Sequence, residues 1–303
     1  MSGGSLKARR GHAFVPVPGW NRSFALLSGA RAREVTRAVV FVHGYSGKAK
    51  STWTDFLSLV DDDTVAGPWW ETSDLFFYHY FWRSMFRRVE ENALDLFNFL
   101  HDVFPKPPQA LFNGGQTTLR RGFQYCDLTL VGHSEGGVLI RKAILEAADQ
   151  DARLRAWRRS PPAKRPAITP QPDGILVANL RLFAPALGGE ALAGMPGVIA
   201  SLPVISSALH MSAAKLDLAP GATAITSARQ YTDEWSEQVD LECFKAHIVW
   251  ADHDSIVDPE KYRDDIQCTR RPKGTNHSSV CKPTVTYPFP VKFVERGVKY
   301  GKC

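Results

Sequence analysis

Gly132-His133-Ser134-Glu135-Gly136 sets a serine between two glycines in the pattern G-x-S-x-G. Its neighbours give the pattern weight. Positions 128–139 read LTLVGHSEGGVL, an apolar run of strand length, the five-residue turn, and a start with helical spacing. A sharp strand-to-helix turn strains its middle residue and projects that side chain, while glycines at 132 and 136 let strand and helix approach closely. A serine presented in this way becomes a nucleophile once a base can take its proton. The same turn puts the backbone N–H of Glu135 at a helix N-terminus, aimed at an oxyanion beside Ser134. Without partners, however, these residues are a glycine-rich turn with an incidental serine.

The partners are expected in the chain order serine, carboxylate, histidine. Upstream, the run 39–47 (VVFVHGYSG) ends in His43-Gly44, where a second oxyanion donor belongs, here the backbone N–H of Tyr45. Downstream, the run 246–250 (AHIVW) leads into ADHDSIVDP. A triad acid sits just past the carboxyl end of such a strand, and Asp254 is the choice, with Asp252 and Asp258 as alternatives. Its task is to orient an imidazole and stabilise the imidazolium. His277 lies in the polar loop GTNHSSVCK and is the one histidine downstream of the acid region, which makes it the expected general base. His133 and His253 flank these positions and are read as shaping turns.

The elements that must position these residues alternate. Runs at 38–42, 75–78, 127–131, 179–184 and 246–250 have strand length and near-continuous apolar character, as in a sheet covered on both faces. Between them, 51–60, 88–100 and 137–148 carry apolar residues at helical spacing, and 291–298 is a candidate C-terminal helix. Strands alternating with helices imply right-handed crossovers and a doubly wound, mostly parallel sheet, the α/β class. Segments 14–17 and 24–27 are candidates for a small antiparallel edge pair. Residues 1–35 are expected to form an N-terminal extension and 36–303 one domain. The Arg- and Pro-rich stretch 151–174, including RLRAWRRSPPAK, reads as a solvated surface connection. The segment 187–221 is apolar and broken by Pro and Gly, too long for a simple loop, and is expected to be a lid or cap or else a pair of core helices.

Composition narrows the function classes. With 44% hydrophobic and 22% charged residues, the 303-residue chain can bury a large core. The N-terminus lacks the apolar stretch of a secretory signal, and no run approaches membrane-spanning length, so a cytoplasmic location is expected. Five cysteines without C-x-x-C spacing suit neither a disulfide framework nor a zinc site, although Cys268 and Cys281 could pair in an exported protein. A net charge of +6 suggests mild attraction to anionic surfaces and leaves peripheral membrane contact open, but no nucleic-acid motif accompanies it. Asp61-Asp62-Asp63 lacks the ligand spacing of a calcium loop, and 76–82 reads as strand core and site edge. No metal or cofactor motif is present, so no cofactor and no metal are expected.

Five segments together resemble the lipase-like α/β-hydrolases grouped around the serine-active-site-containing proteins and the GPI inositol-deacylases. They are FVHGYSGKAKSTW (41–53), LTLVGHSEGGVLIRKAI (128–144), LDLAPG (216–221), DSIV (254–257) and NHSSVCKP (276–283). The resemblance implies an α/β-hydrolase fold, a triad of Ser134, Asp254 and His277, and hydrolysis of esters, often in lipids. Glu135 departs from the Met or Gln usual after the nucleophile, and the segment between Ala186 and Leu216 does not align, so substrate identity does not carry over. The expected reaction is cleavage of an apolar or lipid-like acyl ester. Thioester or amide cleavage with the same triad, and a non-catalytic binding module on the same fold, are the alternatives.

Overall fold

The computed structural model describes residues 13–28, 35–45, 47–59, 72–80, 87–112, 123–159, 174–190, 216–268 and 271–296. The strands are β1 (Ala13–Pro16), β2 (Phe24–Leu27), β3 (Arg37–Val42), β4 (Ser73–Tyr78), β5 (Asp127–His133), β6 (Asn179–Phe183), β7 (His247–Val249) and β8 (Ile266–Gln267). They form one sheet in the order β1-β2-β4-β3-β5-β6-β7-β8. β1, β2 and β4 pair antiparallel, while every pairing from β4 to β8 is parallel. Every residue of β3, β4 and β6 is buried, as expected of strands covered on both faces.

Among the described residues five α-helices accompany the sheet: α1 (Ala49–Leu59), α2 (Val89–Val103), α3 (Glu135–Arg159), α4 (Thr223–Gln238) and α5 (Phe289–Glu295). α2, α3 and α4 pack side by side, and α1 lies against β3 and β4. Trp53 and Phe56 of α1 meet the Phe41 ring of β3 at 5.1 and 5.2 Å, and Phe293 of α5 meets Phe183 of β6 at 5.1 Å. After β3 the chain adds β4 on one side and, after α2, β5 on the other. β3 and β5 thus flank the point where strand order reverses, the place where open α/β sheets carry their sites.

A buried ion pair fixes the far half of the sheet. Arg141 of α3 bonds Asp265, which also accepts the N–H groups of Ala246 and Tyr262, both at 2.9 Å, around the entry to β7. Stripping one partner from such a pair costs about 3–5 kcal/mol, because the other charge stays buried.

The structure corrects several expectations. The surface connection expected from 151 is helical as far as Arg159, because the basic run continues α3, with Arg153 paired to Asp149 one turn back. β8, which pairs with β7 beyond the 246–250 run, has no counterpart among the expected strands. α4 is absent from the sequence reading. Cys268 and Cys281 are thiols and do not pair with each other, whereas Cys126 is disulfide-bonded, which removes cysteine usage as support for a reducing compartment. Asp61-Asp62-Asp63, Phe81-Trp82 and most of the expected lid (191–215) lie outside the described residues. Among the described residues, no helix is long and apolar enough to cross a membrane.

Candidate active site

Ser134 follows the last residue of β5 and precedes the first of α3, with φ at +55°. That left-handed conformation is costly for a side chain with a Cβ and persists only when its surroundings hold it. Here they do: Ser134 N–H donates to Phe183 O (3.1 Å), and Ser134 O accepts from Gly137 N (2.9 Å) and Ala186 N (3.2 Å). Two glycines are needed for close approach. A Cβ at Gly136 would stand 2.4 Å from Val42 O, and one at Gly44 would stand 2.7 Å from Ser134 Cβ. The His43-Gly44 turn after β3 is thus pressed against the serine, with Tyr45 next in the chain. Because α3 starts at Glu135, its N–H is one of the helix donors that no carbonyl of the helix can reach.

Asp254 and His277 meet. His277 Nδ1–H donates to Asp254 Oδ2 at 2.9 Å, leaving Nε2 as the ring's acceptor. Asp254 Oδ1 accepts from Ile256 N (3.0 Å) and Val257 N (3.1 Å), so the carboxylate is fixed at both oxygens. Burial alone would raise its pKa, but the His277 hydrogen bond and charge, with the two N–H groups, outweigh it and hold the carboxyl below its ordinary value. The two loops are also joined through backbone, His253 N–H donating to Thr275 O at 2.9 Å. Of the alternatives for the acid, Asp252 accepts the Gly274 N–H at 3.0 Å through its carboxylate.

His133 links the base to the serine turn. Its Nε2–H donates to the His277 carbonyl at 2.7 Å, and the two rings stand 4.9 Å apart. Burial pushes its pKa down to about 3, so the ring stays neutral and keeps the tautomer this bond requires. The reading of His133 as a residue that shapes the site gains a definite partner.

Two further side chains stand near the serine turn, Tyr80 from the run read as site edge and Glu190, which escaped the sequence reading. Tyr80 stacks on His43 at 4.3 Å and donates to Glu135 Oε2 at 2.8 Å, with His43 O at 3.1 Å. The Glu135 carboxyl is fully buried, and among the described residues its Oε1 has no hydrogen-bond partner. Burial, opposed by the Tyr80 bond and reinforced by Glu190 and Asp217, pushes its pKa up to about 8, so it is neutral at pH 7. The second is Glu190, just after β6. Ser134 Oγ donates to Glu190 Oε1 at 3.3 Å, and among the described residues no hydrogen bond joins Ser134 to His277. Catalytic hydrogen bonds are often loose or unmade before substrate arrives.

A cavity of about 390 Å³ opens beside Asp254, lined by Trp250, His253, Val257 and Arg271 among others. A larger one, about 480 Å³ between α2, α3 and α4, touches none of these site residues. Among the described residues no cluster of His, Cys, Asp and Glu has the arrangement of a metal site.

The strand order, the reversal between β3 and β5, and a strained serine between β5 and α3 decide the architecture. The chain has the α/β-hydrolase fold. No family model matches the sequence, and no curated protein matches it. Among solved structures, the mature Bacillus licheniformis lipase BlEst2 is similar over 90% of this chain and 97% of its own, at 13% identity and a TM-score of 0.48. The Paleococcus ferrophilus monoacylglycerol lipase is similar over 95% and 97%, at 13% identity and a TM-score of 0.48. Est1E from Butyrivibrio proteoclasticus is similar over 95% and 96%, at 13% identity and a TM-score of 0.45.

Proposed function

We propose that the protein is a serine hydrolase that cleaves carboxylic esters of apolar or lipid-like acyl groups through Ser134, His277 and Asp254. The observation that carries this reading is the pairing of two built parts at one end of the sheet. A strained serine at φ +55° and a histidine bonded to a carboxylate at 2.9 Å are tied together through His133. In the reaction, Ser134 Oγ attacks the ester carbonyl as its proton passes to His277 Nε2. Asp254 keeps the ring in the required tautomer and stabilises the imidazolium. The backbone N–H groups of Glu135 and Tyr45 hold the oxyanion. His277 then protonates the departing alkoxide, leaving an acyl-serine that water clears by the reverse sequence.

The neutral Glu135 carboxyl supports the same reading. A side chain that would oppose the oxyanion if ionised is kept uncharged at pH 7. Ser134→Ala should lower p-nitrophenyl butanoate turnover at least about 10⁴-fold. Turnover equal to that of the unsubstituted chain would sink the assignment.

A further inference from the structure

The hydrogen bond from Ser134 to Glu190 is built into the scaffold. Glu190 is 5% exposed, its N–H donates to Leu218 O at 2.7 Å, and its backbone bridges Val257, three residues from Asp254. Four residues earlier, the Ala186 N–H bonds the Ser134 carbonyl. One loop therefore braces the serine turn, contacts the acid loop and sets a carboxylate oxygen 3.3 Å from the reacting hydroxyl.

Acyl transfer breaks this contact. When the Ser134 proton moves to His277, Glu190 Oε1 loses the donor it had in the resting protein, whatever else holds that carboxylate. It then stands 3.3 Å from the oxygen that carries the acyl group. A buried acceptor that gives up one donor is less well satisfied until another donor takes its place. A plain alkyl ester brings none. A substrate with a hydroxyl beside the ester bond brings one where it is needed, and so satisfies that acceptor on the way to the transition state.

We propose that Glu190 is a specificity residue that accepts a hydrogen bond from a substrate hydroxyl next to the scissile ester, so that hydroxylated esters are preferred over their plain alkyl counterparts. The inference rests on Ser134 being the nucleophile. The hydroxyl can lie on the acyl side, as in a 2-hydroxyacyl ester, or on the alcohol side, as in a glycerol ester.

Matched substrates separate the two sources. Methyl 2-hydroxybutanoate is compared with methyl butanoate, and glycerol monobutanoate with propyl butanoate, by pH-stat titration. The proteins are the full chain, Glu190→Ala and Glu190→Gln, each checked for covalent labelling of Ser134 by a fluorophosphonate. In one arm, kcat/KM for the hydroxylated ester should exceed that of its partner by about tenfold or more. That preference should shrink at least about fivefold in Glu190→Ala, by the same reasoning. Intrinsic reactivity differences between the esters cancel in this ratio of ratios. If Glu190→Ala does not label, Glu190→Gln, which keeps the shape and loses the charge, supplies the comparison. A preference that is absent, or equal in wild type and variant in both arms, overturns the proposal while leaving the nucleophile assignment intact. No turnover of any of the four esters, with Ser134 unlabelled, overturns both.

Discussion

Asp254, bonded to His277, and Glu135, next to Ser134 in the chain, are two sheltered carboxyl groups whose surroundings push them in opposite directions. Asp254 has a histidine and two backbone N–H groups on its oxygens, and these outweigh burial and favour the anion. Among the described residues Glu135 has one tyrosine hydroxyl and an oxygen without a hydrogen bond, and burial takes its pKa to about 8. Residue type does not separate them, but the count of donors does. On the proposed function, carboxyls driven apart in this way divide the labour, one charged to support the base and one kept neutral near a developing negative charge.

The largest test of that contrast is the same chemical change made at each site. Asp254→Asn removes the charge that orients and stabilises His277 and should lower kcat/KM for an ester by about 10⁴-fold. Glu135→Gln replaces a group already neutral at pH 7, and should cost less than about tenfold there. Equal losses in steady-state kinetics would break the comparison.

The second test is the response to pH. As pH rises through about 8, Glu135 ionises beside the oxyanion, so kcat/KM should descend on that limb, and Glu135→Gln should abolish the descent. Stability follows the same sign. The carboxyl ionises near 4.5 when unfolded and near 8 in the fold, so its contribution is complete below about 4.5 and is lost as pH rises to about 8. Between pH 6 and pH 9 the Tm of the unsubstituted protein should therefore fall further than that of Glu135→Gln.

The smallest effect sharpens the cause. The Tyr80 hydrogen bond lowers the Glu135 pKa, so Tyr80→Phe should move the alkaline limb to higher pH, changing rates at pH 8 by a few-fold. A limb that moves to lower pH would show that Tyr80 acts otherwise.

What the sequence made legible was local. A strand, two glycines and a serine in twelve residues announce a strained turn, and the structure has Ser134 at φ +55°. Apolar runs located the central strands, and 14–17 with 24–27 marked the antiparallel pair β1–β2 to within a residue. The pairing of Asp254 with His277 spans 23 positions, and chain order and loop context were enough to put the two residues forward. Contacts without a local pattern stayed hidden. Glu190 reaches Ser134 from 56 positions away, at the end of a glycine-rich turn that shows no periodicity. α4 buries Ala224, Ile225, Ala228 and Thr232, a stripe with one large apolar residue among small or polar ones. β8 is two exposed residues long. The pKa of Glu135 depends on burial that only tertiary structure creates.

The most direct test of the central claim is intact-mass and peptide mapping after reaction with a fluorophosphonate. One adduct should form, on Ser134, and His277→Ala should slow its formation about 10³-fold or more, because the base must take the hydroxyl proton. An adduct on another residue, or labelling at an unchanged rate in His277→Ala, would contradict the account.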